Sequence, residues 1–94
     1  MDTRATSAAT NAGVRIVVKA FARARELLGA DTLSLELPPG ATVAAIQTAL
    51  IEQAPAFADI ASSTRVARNG NVARLSDVLN DGDEVALLPP VGGG

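Results

Sequence analysis

Side chains able to move protons, attack a carbonyl or bind a metal are scarce in this sequence. It has no Cys and no His in 94 residues, which removes thiolate chemistry, disulfides, the commonest zinc ligands and the commonest general base. Asp, Glu, Lys, Ser and Thr remain. Their densest grouping is the acidic turn NDGDE, Asn80–Glu84, with three carboxylates inside four positions. A calcium loop of the EF-hand type needs about twelve residues with ligands throughout, so the turn reads as a polar bend in which Gly82 takes a positive φ. Ser62-Ser63-Thr64 has no base nearby and reads as a loop. Phosphate cradles of the GxxxxGK[ST] type are absent, and Gly92-Gly93-Gly94 leads into no helix that could supply one. These side chains predict no metal site, no bound cofactor and no enzyme in the isolated chain.

The main chain offers a group that the side chains do not. The sequence closes on DGDEVALLPPVGGG, Asp81–Gly94. Pro89 and Pro90 lack the N–H that sheet pairing needs, so they end the last strand and hold the chain extended. The glycines then make a thread without Cβ atoms, slim enough to enter a narrow channel in a partner. At its tip Gly94 carries an α-carboxylate unshielded by any side chain. A carboxylate is a poor acyl donor until activated, for example as an acyl-adenylate, and glycine is the least hindered place to do that. A frayed terminus is the plain alternative. The lack of any linker between DEVALLPP and the glycines favours a working end, with Gly94 as the reacting residue.

Such a tail needs a scaffold, and the rest of the sequence spells one. VRIVVKAF, Val14–Phe21, is a first strand with Val14, Ile16, Val18 and Ala20 on the core face. Arg15, Val17, Lys19 and Phe21 share the other face, so Phe21 lies outside, beside two cations. ARARELLG, Ala22–Gly29, reads as a short helix with a glycine cap. TLSLELPPG, Thr32–Gly40, alternates as a second strand with Leu33, Leu35 and Leu37 inward; the short gap before it predicts antiparallel pairing with the first. TVAAIQTALIEQAP, Thr42–Pro55, is the main helix: Thr42 as N-cap, Val43, Ile46 and Leu50 as its stripe, Pro55 as its stop. Phe57 and Ile60 extend that apolar cover. RVARNGNVARL, Arg65–Leu75, holds the hairpin signal Asn69-Gly70. LSDVLNDGD, Leu75–Asp83, is turn-rich, and DEVALL, Asp83–Leu88, is the final strand.

This order predicts a two-layer α+β domain with one main helix packed across one face of a mixed sheet. A final strand parallel to the first, in the middle of the sheet, would make it a β-grasp; periodicity supplies the elements and leaves that order open. The expected organisation is a disordered leader over 1–13, a domain over 14–88 and a flexible tail over 89–94. A transit-like leader is the minor alternative, weakened by its single Arg4.

Composition narrows the function further. Apolar residues make up 48% and aromatics 2%, so the core must come from Val, Ile, Leu and Ala. A net charge of −2 with scattered Lys and Arg argues against a nucleic-acid surface, which clusters its cations. No apolar run approaches the roughly 20 residues that span a bilayer, and MDTRATSAATNAG lacks the apolar centre of a secretory signal. A small domain without disulfide staples reads as cytoplasmic.

From Val14 to Gly94 the chain resembles the MoaD-type small subunits of molybdopterin synthase, within the ubiquitin-like ThiS/MoaD sulfur carriers. FARARELLG, Phe21–Gly29, is similar to that family's aromatic–Ala–x–x–Arg–Glu–Leu–x–Gly segment, and DGDEVA followed by PPV and a terminal Gly-Gly is the second match. The resemblance implies a β-grasp fold and a cycle of carboxylate chemistry. An E1-like adenylating partner of the MoeB type would use MgATP to adenylate Gly94, and sulfur would replace AMP to give a thiocarboxylate. The tail, with Gly92 and Gly93, would enter a large subunit of the MoaE type and deliver sulfur to cyclic pyranopterin monophosphate, within a heterotetramer whose catalytic side chains belong to the large subunit. It also implies an apolar partner contact at Phe21, Val72 and Leu88, with Arg25 as a candidate interface ion pair. Leu87-Leu88 stands where that family often has aromatics. The same tail fits a carrier for thiamine or cysteine biosynthesis, a ubiquitin-like modifier joined to protein lysines, or an inert β-grasp interaction module. RELLG and LLPPV favour the molybdopterin reading.

Overall fold

The computed structural model describes residues 13–90. Residues 1–12 of the expected leader and residues 91–94 of the expected tail, with Gly92, Gly93 and Gly94, lie outside the described residues. Strand β1 is Val14–Ala20, and helix α1, Ala22–Leu28, follows it directly. Gly29 ends α1 in the left-handed region at φ 77°, donating its N–H to the Arg25 carbonyl at 2.9 Å. This position tolerates a residue without Cβ best. β2 is Thr32–Leu37, α2 is Val43–Gln53, a 3₁₀ turn covers Pro55–Phe57, and α3 is Ala58–Ala61. β3, Arg65–Arg68, and β4, Asn71–Val72, make the hairpin, and β5 is Glu84–Leu88.

The five strands run in the order β2-β1-β5-β3-β4. β1 pairs antiparallel with β2, from Val14 opposite Leu37 to Lys19 opposite Thr32. It pairs parallel with β5, Val18 beside Val85 and Ala20 beside Leu87. β3 returns antiparallel along the other edge of β5, Arg65 opposite Leu88. The final strand is therefore central, hydrogen-bonded on both sides, which is the β-grasp order.

Side-chain alternation gives the sheet one covered face. Ile16, Val18, Val85 and Leu87 are fully buried there against Val43, Ile46 and Leu50 of α2 and against Phe57. Each such side chain contributes about 1.5–3 kcal/mol by leaving water. Leu35 and Leu37 are buried as expected, while Leu33 packs only partly against the core. Asn69 (φ 49°) and Gly70 (φ 90°) form the two-residue hairpin turn with both residues left-handed, the twist-matched connection for antiparallel strands.

Thr42 and Pro55 bound α2 as expected, with one difference at the cap. Thr42 stands at the N-cap position in an extended conformation, but its hydroxyl makes no cap bond. Loop carbonyls do the work instead: Val43 N–H donates to Asp77 at 2.9 Å and Ala44 N–H to Leu75 at 3.0 Å. The helix start is thus tied to the segment after the hairpin. At the other end α2 stops at Gln53, because the residue before a proline is pushed out of the helical region; Ala54 sits at φ −139°, ψ 88°. The hairpin's second strand is only two residues long, since the chain turns at Arg74–Asp77, where the Asp77 carboxylate accepts the Arg74 N–H at 3.0 Å. Among the described residues, no helix is long and apolar enough to cross a membrane.

Candidate functional site

The tail leaves from the middle of the sheet. β5 ends at Leu88, and Pro89 and Pro90 follow with no strand pairing, as expected of residues without an N–H. Around this exit the strand register builds the open face row by row. One row crosses the whole sheet: Thr32, Lys19, Ala86, Ala67 and Val72. One step further along β5, Leu88 lies opposite Arg65. Phe21, extending the β1 register by one residue beyond Ala20 and Leu87, comes alongside Leu88.

Phe21 is 49% exposed, Leu88 39% and Val72 67%. These large apolar side chains, joined by the small Ala86 and Ala67, form an apolar strip around the root of the tail. Solitary exposed apolar residues are common, but a strip of them across one sheet face is the kind of surface that a partner covers. Backbone geometry sets Phe21: it is extended at φ −126°, ψ 157°, and Ala22, left-handed at φ 51°, then swings the chain off the sheet into α1. A non-glycine residue in that region stores strain of order 1 kcal/mol. Arg25 sits one helical turn beyond, its N–H donating to the Phe21 carbonyl at 3.3 Å. Its side chain is exposed and has no ion-pair partner among the described residues.

Charge frames the strip. Lys19 Nζ lies 3.1 Å from Glu84 Oε2, and Arg15 pairs with Glu36. Both pairs are solvent-exposed and worth little to stability. The pair at the start of β5 is different. Asp83 is 6% exposed and accepts the Asn80 N–H at 2.8 Å, the Asn69 side-chain amide at 3.0 Å and Arg68 Nε at 3.1 Å. Burial pushes its carboxyl upward, but the Asn80, Asn69 and Arg68 contacts outweigh this and leave it below the usual carboxylate range. Asn69 completes a reciprocal lock, its Oδ1 accepting the Glu84 N–H at 2.9 Å while its own N–H reaches the Glu84 carbonyl at 2.8 Å. The turn that the sequence offers as a polar bend, with Gly82 at φ 90°, therefore clamps the hairpin to the root of the central strand. Asp81 adds to it by accepting the Arg15 N–H at 2.8 Å.

Two apolar residues that the sequence reading passed over are also exposed, Leu75 at 53% and Val78 at 55%. Leu75 borders a groove of about 410 Å³ with Gln47, Thr64, Arg65 and Val72. Their segment lacks strand or helix periodicity, so no face could be assigned to them in advance. Among the described residues no three carboxylates converge on a point where a metal could sit.

A five-stranded mixed sheet with a central, parallel final strand defines a ubiquitin-like β-grasp protein. Comparison with known proteins narrows the class. The chain belongs to the ThiS family, whose pattern matches residues 18–94. It is 36% identical over 81 residues to a molybdopterin synthase sulfur carrier subunit of Arabidopsis thaliana, covering 86% of this chain and 84% of that protein. It is 34% identical over 84 residues to small archaeal modifier protein 1 of Haloferax volcanii, covering 81% and 97% of the two. Among solved structures, the Pyrococcus furiosus protein assigned as molybdopterin converting factor subunit 1 matches with a TM-score of 0.77 at 32% identity, over 83% of this chain and 99% of that one.

Proposed function

We propose that this chain is the sulfur carrier subunit of a molybdopterin synthase, with the Gly94 carboxylate as its reacting group. An E1-like enzyme of the MoeB type binds the domain, and a Gly94 carboxylate oxygen attacks the α-phosphate of MgATP, releasing pyrophosphate. A sulfur nucleophile then displaces AMP at the acyl carbon and leaves a thiocarboxylate. The loaded thread, Gly92-Gly93-Gly94, enters a large subunit of the MoaE type, and sulfur passes to cyclic pyranopterin monophosphate. Two transfers build the dithiolene. The synthase is a heterotetramer of two small subunits on a large-subunit dimer, working in the cytoplasm, where a domain without disulfides is at home.

The observation that carries this reading is the placement of the tail's root. The thread starts from a strand hydrogen-bonded on both sides, beside an exposed apolar strip that includes Phe21 and Leu88. A rigid base delivers a slim arm accurately, and the strip supplies the docking contact that seats it. The family match running through Gly94 supports the same assignment, as does the sulfur-carrier name of the Arabidopsis relative. Phe21, Val72 and Leu88 are the proposed partner contacts, with Arg25 at their margin.

The test is sulfur delivery by the chain with a large subunit of the MoaE type. Deleting Gly94, or adding one residue after it, abolishes delivery and leaves the domain folded, because the tail lies beyond the last paired strand. Full delivery after either change refutes the mechanism. The 34% identity to a small archaeal modifier protein favours a second reading, in which the same acyl-adenylate meets a protein lysine. High-mass lysine adducts of Gly94 would identify that use.

A further inference from the structure

The eight cationic side chains of this chain are seven arginines and one lysine, Lys19. Arginine stays protonated and does not attack carbonyls, so Lys19 carries the chain's single side-chain amine able to accept an acyl group. That amine lies on the open face, 45% exposed, in the row next to Ala86 of the tail-bearing strand.

We propose that Lys19 is an acceptor for the activated tail of a second copy of this chain, giving an isopeptide between Lys19 Nζ and the Gly94 carbonyl. This rests on Gly94 being an activated acyl group. The Lys19 ammonium first releases a proton to solvent. The nitrogen lone pair attacks the Gly94 carbon, the C–N bond forms and the C–O bond to AMP breaks. AMP leaves with that electron pair, and a second nitrogen proton goes to solvent. The ATP consumed in making the adenylate is the one co-reactant.

Geometry favours another copy's tail over the chain's own. β5 carries Leu88, Pro89 and Pro90 away from the Lys19 row, so the chain's own thread would have to double back along the strand. An incoming tail needs no bend. Its Pro-Pro-Val segment is the extended, proline-rich type that aromatic surfaces receive, and exposed Phe21 with Leu88 offers that surface. Phe21 and Lys19 share a face two residues apart, about 7 Å, a separation that a few residues of extended chain bridge. With the α-amine blocked, one side-chain acceptor and one acyl end per chain give linear, unbranched products. A linked copy occupies the face proposed for the large subunit, so linkage and docking exclude each other.

The test uses the full chain with its α-amine acetylated and Gly94 prepared as a mercaptoethanesulfonate thioester, incubated at alkaline pH. Activation then needs no partner enzyme, so failure of the carrier reading shows separately, as absent sulfur loading of Gly94 by an adenylating enzyme. We expect a ladder of dimers and longer chains, joined Lys19 to Gly94 by peptide mass mapping, and no ladder from Lys19→Arg. Phe21→Ser slows the ladder about tenfold, equivalent to about 1.4 kcal/mol of lost docking. Hydrolysis without a ladder, an internally closed monomer, a ladder that persists in Lys19→Arg, or an unchanged rate in Phe21→Ser each overturns the proposal.

Discussion

Replacing Asp83 by Asn exchanges one carboxylate oxygen for an amide nitrogen, and three donors are placed to register it. Asn80 N–H and Arg68 Nε both point at Oδ2, and the Asn69 amide points at Oδ1. An asparagine that keeps its oxygen at the Oδ2 position sets its NH₂ against the Asn69 NH₂. Asn69 cannot flip to relieve this, because its own oxygen is already taken by the Glu84 N–H. With Asp83 only 6% exposed, water offers little rescue, and one buried donor pair is left unmatched. That costs about 2 kcal/mol, which for a domain of this size lowers Tm by about 8–16 °C. Urea unfolding followed by far-UV circular dichroism measures it directly. The pH dependence has a definite sign. The folded carboxyl lies below its unfolded value of about 3.9, so the ionised form stabilises the fold above that pH. The contribution fades as pH falls through the lower, folded value. The gap between wild type and Asp83→Asn is therefore level near neutrality and narrows below about pH 4. A loss under about 0.5 kcal/mol, or a gap that widens in acid, refutes the clamp.

Other positions give equally direct readings. Phe21→Asp leaves Tm within about 3 °C of wild type, since an exposed substitution changes stability by no more than about 0.5 kcal/mol. It weakens binding of a MoaE-type subunit by about 2 kcal/mol, some 30-fold in Kd by titration calorimetry; a collapse in stability would instead place Phe21 in the core. Ile46→Ala, in the fully buried stripe of α2, costs about 3 kcal/mol in urea unfolding, and a loss below about 1 kcal/mol contradicts the packing. Gly29→Ala, at φ 77° with open space around it, costs about 1 kcal/mol from backbone strain alone, and substitution by Asn, which tolerates this region, costs less. Gly13→Ala drives its Cβ onto the Leu37 carbonyl oxygen and lowers Tm by perturbing the β1–β2 edge, whereas an unchanged Tm shows that the edge yields freely.

Much of this architecture was legible because burial follows simple periods. The alternation of Val14, Ile16 and Val18 and the stripe of Val43, Ile46 and Leu50 each specify a buried face without reference to anything distant. The Asn69-Gly70 turn and the Gly29 cap are local conformational demands, and they also read directly. The central position of β5 did not follow from periodicity, because strand order depends on which edges meet in space; the resemblance supplied it. Thr42 shows a second limit. Its type suits an N-cap, yet of the donors its hydroxyl would have met, the Ala44 N–H goes to the Leu75 carbonyl, more than thirty residues on, and the Ala45 N–H to Thr42's own carbonyl. Asp83 shows a third: as part of NDGDE it reads as a polar bend, and only the hairpin folding back beside β5 turns it into a buried clamp. Of the proposed contacts, the exposure of Phe21 was readable from strand parity. That of Leu75 and Val78 was not, since they lie in a turn without a face.

The reaction at Gly94 is tested most directly by the intact mass of the chain after coexpression with an adenylating enzyme of the MoeB type and a sulfur source. The account predicts a species heavier by the difference between one sulfur and one oxygen, placed on Gly94 by C-terminal peptide fragmentation and lost when Gly94 is deleted. An unmodified chain from cells in which that enzyme is active, or sulfur found on any other residue, would contradict it.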